Sequence, residues 1–194
     1  MGITTEDIKK LRDETGVSIM QVKQALEEAE GDAEKARIIL RKKSGAIAEK
    51  KADRVLGSGV VRSYIHGNGT VGSMVELLCE TDFVAKNEEF QKIAYEIAMQ
   101  IAATNPEYLS ISDIDEEAMT RAQEVFAKEV EDKPEDLKEK ILSGKIDAYF
   151  KDKVLLTQPY IKDSEKTIDD LVKEATQKFG ENTAIGRFVR FAIS

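Results

Sequence analysis

The sequence predicts an α+β protein: a helical head, a helical linker, and an antiparallel sheet layered with helices, from which a helical hairpin projects. Three observations carry that prediction. Residues 4–45 hold three short helical patterns punctuated by Gly16, Gly31 and Gly45. Residues 60–65 and 71–79 read as strands on either side of Gly67-Asn68-Gly69, a strong hairpin signal. Phe90, Ile93, Ala94, Ile97, Ala98, Ile101 and Ala102 then recur at helical spacing, a broad apolar stripe suited to lie on a sheet.

Taken in order, the first helix opens on Thr4 with Asp7 three residues on, a capping pair, and stops at Gly16. The second opens on Ser18 with Gln21, runs through Val22, Ala25, Leu26 and Ala29, and stops at Gly31. The third starts at Asp32, repeats Ala36, Ile39 and Leu40, and ends near Gly45. A bundle this small buries little area and commonly offers a face to a partner; Met20, beside Ile19, is its expected exposed apolar spot. Residues 46–56, charged and rich in alanine, read as a helical linker, and residues 57–194 as the core domain. Asn105-Pro106 ends the long amphipathic helix. Residues 115–152 are polar and helical with a break at Asp132-Lys133-Pro134. Met119, Ala122, Phe126 and Val130 face Leu137, Ile141 and Ala148 in an antiparallel helical hairpin. Beyond it, residues 158–161 are extended, Thr167 with Asp170 caps a helix through Ile168, Leu171, Val172 and Ala175, and Gly180-Glu181-Asn182 turns. Residues 187–193 alternate as a strand with Val189, Phe191 and Ile193 on one face.

Composition narrows the function. The chain has 194 residues, 41% of them hydrophobic, enough for one or two domains with a real core. Net charge is −8, which argues against a grip on nucleic-acid backbone. A single cysteine, Cys79, permits no intrachain disulfide and fits a reducing compartment. No apolar run approaches the ~20 residues of a membrane span, so a cytoplasmic protein without membrane contact is expected. Enzyme readings fare poorly. Cys79 lies in an apolar strand, where a thiol behaves as a small hydrophobe, and the spacing for a zinc site is missing. There is no phosphate-cradling glycine loop, so no cofactor is expected. What remains is a protein that acts by touching another macromolecule.

The junction at residues 80–90, Glu-Thr-Asp-Phe-Val-Ala-Lys-Asn-Glu-Glu-Phe, stands out. It joins the second strand to the long helix, for which Asn87 is the N-cap and Glu88 and Glu89 complement the dipole. An aromatic beside a carboxylate is unusual in a connection that should run over the surface. Phe83 either folds back on the core or is held out for a partner, and local chemistry alone leans to the core.

Several stretches together resemble bacterial elongation factor Ts, over essentially the whole chain and in order. They are the head string Leu11-Arg12-Asp13-Glu14-Thr15-Gly16 with Met20, Lys23 and Ala25-Leu26, the hairpin Tyr64-Ile65-His66-Gly67, the junction Thr81-Asp82-Phe83-Val84-Ala85-Lys86-Asn87, and the closing Arg187-Phe188-Val189-Arg190-Phe191. The resemblance implies a ubiquitin-associated-like head and a nucleotide-exchange factor for elongation factor Tu that breaks no bond itself. It implies that Thr81, Asp82, Phe83 and Val84 form a wedge that disturbs magnesium and phosphate contacts in Tu. It makes Arg12, Ile19, Met20 and Lys23 candidates for a head contact, Lys51 for a linker contact, and His66 with Gly67 for another part of Tu. Under that resemblance Phe83 belongs outside. Long members carry two copies of the body, with the wedge in one and the Tyr-x-His-Gly hairpin in the other. Here both lie in one copy, so the resemblance implies a homodimer supplying one from each subunit. It also implies that the C-terminal helix of long members is absent after Ser194. A ubiquitin-associated-like adaptor or ribosome-associated module would explain residues 1–45 but not the junction. An RNA-binding translation protein conflicts with the charge and with strands that lack interleaved basic and aromatic residues.

Overall fold

The computed structural model describes residues 3–131 and 134–193, and at 135 and 136 the backbone alone. The head comprises α1 (Thr5–Thr15), α2 (Ile19–Glu28) and α3 (Ala33–Lys51). Thr4 and Asp7 exchange hydrogen bonds in a full capping box, whereas Ser18 accepts from the Gln21 amide and Asp32 from Glu34 and Lys35. Gly16 closes α1 at φ 69°, a conformation that a Cβ makes costly. α2 ends at Glu28, before the expected stop, and the chain turns through Glu30 and Gly31, both at positive φ. Leu11, Val22, Leu26, Ala36 and Leu40 form a small core of their own.

The expected end of the third helix near Gly45 is not found: α3 continues to Lys51, so head and linker share one unbroken helix. A glycine in a helix interior costs only about 1 kcal/mol relative to alanine. The flanking Ala46 and Ala48 are strong helix formers, and α3 lies against the last helix of the body.

After α3 come β1 (Ser58–His66), β2 (Val71–Cys79), the one-turn α4 (Asp82–Ala85) and α5 (Glu88–Thr104). Then follow α6 (Glu116–Glu129), α7 (Glu135–Lys151), the short β3 (Pro159–Tyr160) and β4 (Asp163–Thr167), α8 (Ile168–Phe179) and β5 (Ala184–Ala192). β1, β2 and β5 form an antiparallel sheet in the order β1-β2-β5. Alternation along β2 sends Val75, Leu77 and Cys79 inward, where they meet Phe90, Ile97 and Ile101 of α5 and Ile168 and Val172 of α8. Phe90 is fully buried and meets Phe179 edge to face, with ring centres 5.6 Å apart. The register of β2 on β5 shifts between Val75 and Leu77. Ile185 and Phe188 face the core, and Val189, Phe191 and the following Ile193 face out. With Val61 and Met74 they form an uncovered apolar patch on the outer face of the sheet, beside the Arg187–Glu76 ion pair.

α6 and α7 pack against each other, and Met119, Ala122 and Phe126 of α6 face inward. The face of α7 differs from the expectation. Leu137 and Ala148 are exposed, and the inward residues are Leu142, Ile146 and Phe150, spaced four apart. Apolar residues lie around most of α7, so its pattern admits more than one face. Phe150 decides between them by meeting Tyr108 at 6.2 Å, at the base of the hairpin. The break expected at Asp132-Lys133-Pro134 falls at its first two positions outside the described residues. No described helix is long and apolar enough to cross a membrane.

Candidate functional site

Phe83 is 80% exposed, and the reason is local. β2 ends at Cys79 with its side chain inward, and α4 follows within three residues. A four-residue helix buries one side only: Val84 and Ala85 take the inward positions, and Asp82 and Phe83 are left outward. Val84, expected among the wedge residues, is thus 4% exposed and anchors the helix to the core. The Asn87 amide then donates to the Val84 carbonyl, and the Asn87 side chain accepts from Glu89 to start α5. Lys86 Nζ donates to Asp82 Oδ2, and this ammonium holds the Asp82 carboxyl below the usual carboxylate range. The result is an aromatic ring and a carboxylate side by side on a short rigid mount.

The mount is tied to two other segments. Glu80 Oε1 accepts from the Asn182 amide at 2.6 Å and pairs with the Arg54 guanidinium at 3.3 Å. The Asn182 side-chain amide donates to the carbonyls of Ala52 and Arg54, just past α3. Lys51, expected as a partner contact, donates to the Gly180 carbonyl, so its ammonium is occupied within the chain. Cys79 Sγ donates to the Thr81 carbonyl at 3.2 Å, and burial, followed by the nearby Glu181 carboxylate, pushes its thiol pKa up. That environment suits neither a nucleophile nor an intersubunit disulfide.

The Asn182 hydrogen bond, followed by the Arg54 pair, lowers the Glu80 pKa. Its folded value lies below the unfolded one, so the contribution to stability is present above the ordinary glutamate value of about 4.3. It is lost as pH falls through the depressed value. We therefore expect the melting temperature to decline on acidification below about pH 4. Thermal scans from pH 3 to 7 should show a shallower decline for Glu80→Gln, and equal slopes would rule out this source.

The head brings a second exposed apolar patch to the same end of the body. Met20 is 71% and Ile19 55% exposed at the start of α2. Arg12 and Lys23 are exposed as well, Lys23 beside Glu27 at 3.7 Å. The Lys178 side chain lies where a Cβ on Gly16 would sit, and its Nζ donates to Glu89 Oε1 at 2.8 Å. The turn that presents Ile19 and Met20 is thereby set beside the first turn of α5.

His66 and Gly67 are not brought to this site. β1 and β2 pair from Ser58–Cys79 at one end to His66–Val71 at the other. The hairpin tip is therefore a strand length, ~26 Å, from the junction. At the tip Tyr64 Oη and His66 Nδ1 are 3.0 Å apart, and Gly69 donates to the His66 carbonyl. No cluster of three or more His, Cys, Asp or Glu suited to a metal occurs among the described residues. Sequence reasoning missed Glu80, Glu181, Asn182 and Arg54. The string Gly180-Glu181-Asn182 signals a turn, and nothing in it names a partner a hundred residues away.

Residues 8–194 match the family described as Elongation factor TS. The chain is 46% identical over 195 residues to Elongation factor Ts of Coprothermobacter proteolyticus, covering 100% of this chain and 99% of that one. It is 44% identical over 193 residues to Elongation factor Ts of Thermotoga neapolitana, with coverages of 100% and 98%. With Elongation factor Ts of Carboxydothermus hydrogenoformans the identity is 48% over 193 residues, with coverages of 98% and 89%.

Proposed function

The chain belongs to the elongation factor Ts family, and from that premise we propose that it is the guanine-nucleotide exchange factor of elongation factor Tu in translation, acting in the cytoplasm. The observation that carries the mechanism is the mounting of Phe83: largely presented to solvent, one residue before a buried anchor. In this reading Asp82 and Phe83 enter beside the nucleotide site of Tu while Ile19, Met20, Arg12 and Lys23 hold its GTPase domain. Magnesium kept by phosphate oxygens and few protein ligands is sensitive to small displacements of that shell.

Thermodynamics fixes what the wedge must supply. A factor that binds nucleotide-free Tu better than Tu·GDP weakens GDP by the same ratio. A thousandfold weakening needs about 4 kcal/mol. One buried aromatic anchor supplies roughly 2 kcal/mol, so Phe83 carries about half of it and Asp82 and the head the remainder. No covalent step is involved, and neither cofactor nor nucleic acid enters. The test is the release of a fluorescent GDP from purified Tu: acceleration by this protein is expected, and its absence sinks the proposal. An adaptor role through the head alone leaves the exposed Asp82–Phe83 pair without use.

We further propose that the working form is a homodimer joined through the outer sheet face. One body holds the wedge and the His66 tip at opposite ends of a strand, and in this reading a second copy supplies the other of the two to the same Tu. The covered face of the sheet carries α5, and the opposite face offers Val61, Met74, Val189 and Phe191 at the surface. A second copy of this face matches it, since sheets pack aligned about 10 Å apart with apolar inner faces, and a two-fold contact is self-complementary. Phe191→Glu is expected to halve the mass measured by light scattering after size exclusion while leaving the circular dichroism unchanged. A wild-type monomer would contradict the dimer.

A further inference from the structure

We infer that Glu181 is a positioning residue for the wedge, setting the angle at which Asp82 and Phe83 are presented; this rests on the exchange-factor reading above. Thr81 is the residue preceding α4 and has the extended backbone of an N-cap, φ −127° and ψ 158°. A threonine there would ordinarily turn its hydroxyl to the helix amides. It does not: its side chain makes no cap bond. Instead Thr81 Oγ1 donates to Glu181 Oε1 at 2.6 Å, and the Glu80 and Thr81 amides donate to Glu181 Oε2 at 3.1 and 3.0 Å. A single carboxylate therefore takes three donors from the two residues that lead into α4.

The arrangement matters because α4 cannot hold itself. Four residues are far too few for a helix to persist on its own, and the Phe83 ring makes no aromatic contact among the described residues. Its direction is set by its backbone, and the backbone is held on both sides of α4, on the N-terminal side by the Cys79 thiol and the Glu80 carboxylate as well as by Glu181. Val84 and Ala85 pin the C-terminal side to the core, and Glu181 pins the N-terminal side. With one anchor α4 could pivot about the other. Glu181 is itself held, because Gly180 closes α8 at φ 71° and Asn182 ties to Glu80, Ala52 and Arg54. The wedge is thus referenced both to α8 and to the end of the helix that carries the head.

Glu181→Ala should lower the maximal rate of GDP release at saturating factor about tenfold and change the half-saturating concentration less than twofold, because the other Tu-facing surfaces are intact. Glu181→Gln keeps the volume and one acceptor, and should recover part of the rate. In a Phe83→Ala background the same Glu181→Ala change should cost clearly less than tenfold, since only Asp82 remains to be aimed. Hydrogen exchange in the isolated protein gives a readout independent of Tu: amides 80–85 should exchange at least tenfold faster in Glu181→Ala, with those of α5 unaltered. An unchanged maximal rate, an equal loss in the Phe83→Ala background, or unaltered exchange at 80–85 would each overturn the inference. If the wild type fails to release GDP from Tu, the exchange-factor reading falls, and the hydrogen-exchange result alone decides whether Glu181 orders this segment.

Discussion

Phe83→Ala is expected to reduce the rate of GDP release from Tu by about 10- to 100-fold, the equivalent of raising the barrier to release by roughly 1.4–2.8 kcal/mol. The stability of the isolated protein should change by less than about 0.5 kcal/mol, as for surface substitutions in general. The two expectations belong together. The ring is 80% exposed, so its truncation opens no cavity and removes little packing in the free protein. Denaturant titration of the variant beside stopped-flow release of fluorescent GDP checks both halves. A stability loss of several kcal/mol would show that the ring supports the fold, and an unchanged release rate would show that it does no work on Tu.

Phe90→Ala, seven residues further on, should do the opposite. Phe90 has no exposed surface and fits between the sheet and Phe179. Its truncation removes a large buried ring and leaves a cavity, for which about 3–5 kcal/mol is the usual cost. Against total stabilities of ~5–15 kcal/mol, that is enough to lower the denaturant midpoint strongly and to leave part of the population unfolded near physiological temperature. Phe90→Leu should recover part of the loss, because leucine restores most of the apolar volume and leaves a smaller cavity. Equilibrium unfolding in urea distinguishes these outcomes. A small loss for Phe90→Ala would mean that α5 is held mainly by its other apolar residues.

The contrast between these two phenylalanines shows which features a sequence can disclose. Phe90 belongs to a stripe of seven apolar residues at helical spacing, so its burial is written in its neighbours. Phe83 sits in a one-turn helix, which has no period to read, and its direction depends on Val84 reaching the core first. Caps were legible at Thr4, Ser18, Asp32, Asn87 and Thr167 because donor and acceptor lie within three residues of one another. The Gly67-Asn68-Gly69 turn was legible for the same reason. The end of α3 was not, since the penalty at Gly45 is small beside the helical preference of its flanks. The inward face of α7 was not, since apolar residues surround it. The alternation of Val189 and Phe191 was visible, but whether that face meets the core or solvent is set by the register on β2. Glu181 was invisible as an anchor because its donors lie far along the chain.

That last separation bears on how the protein folds. The head closes over short loops, and β1 meets β2 across a tight turn, events that need only microseconds in isolated helices and hairpins. The third strand is different. β5 completes the far edge of β2, and Glu181, just ahead of it, reaches back 100 residues to Thr81. Joining partners so distant requires closing a long loop before any contact rewards it, which slows the step. Early in folding the middle strand therefore has one unpaired edge, the junction has one of its two anchors, and the head is already formed. A chain interrupted at that stage could present Ile19 and Met20 to a partner with Phe83 unaimed. With loops this long, the fixing of the wedge's angle is expected late in folding.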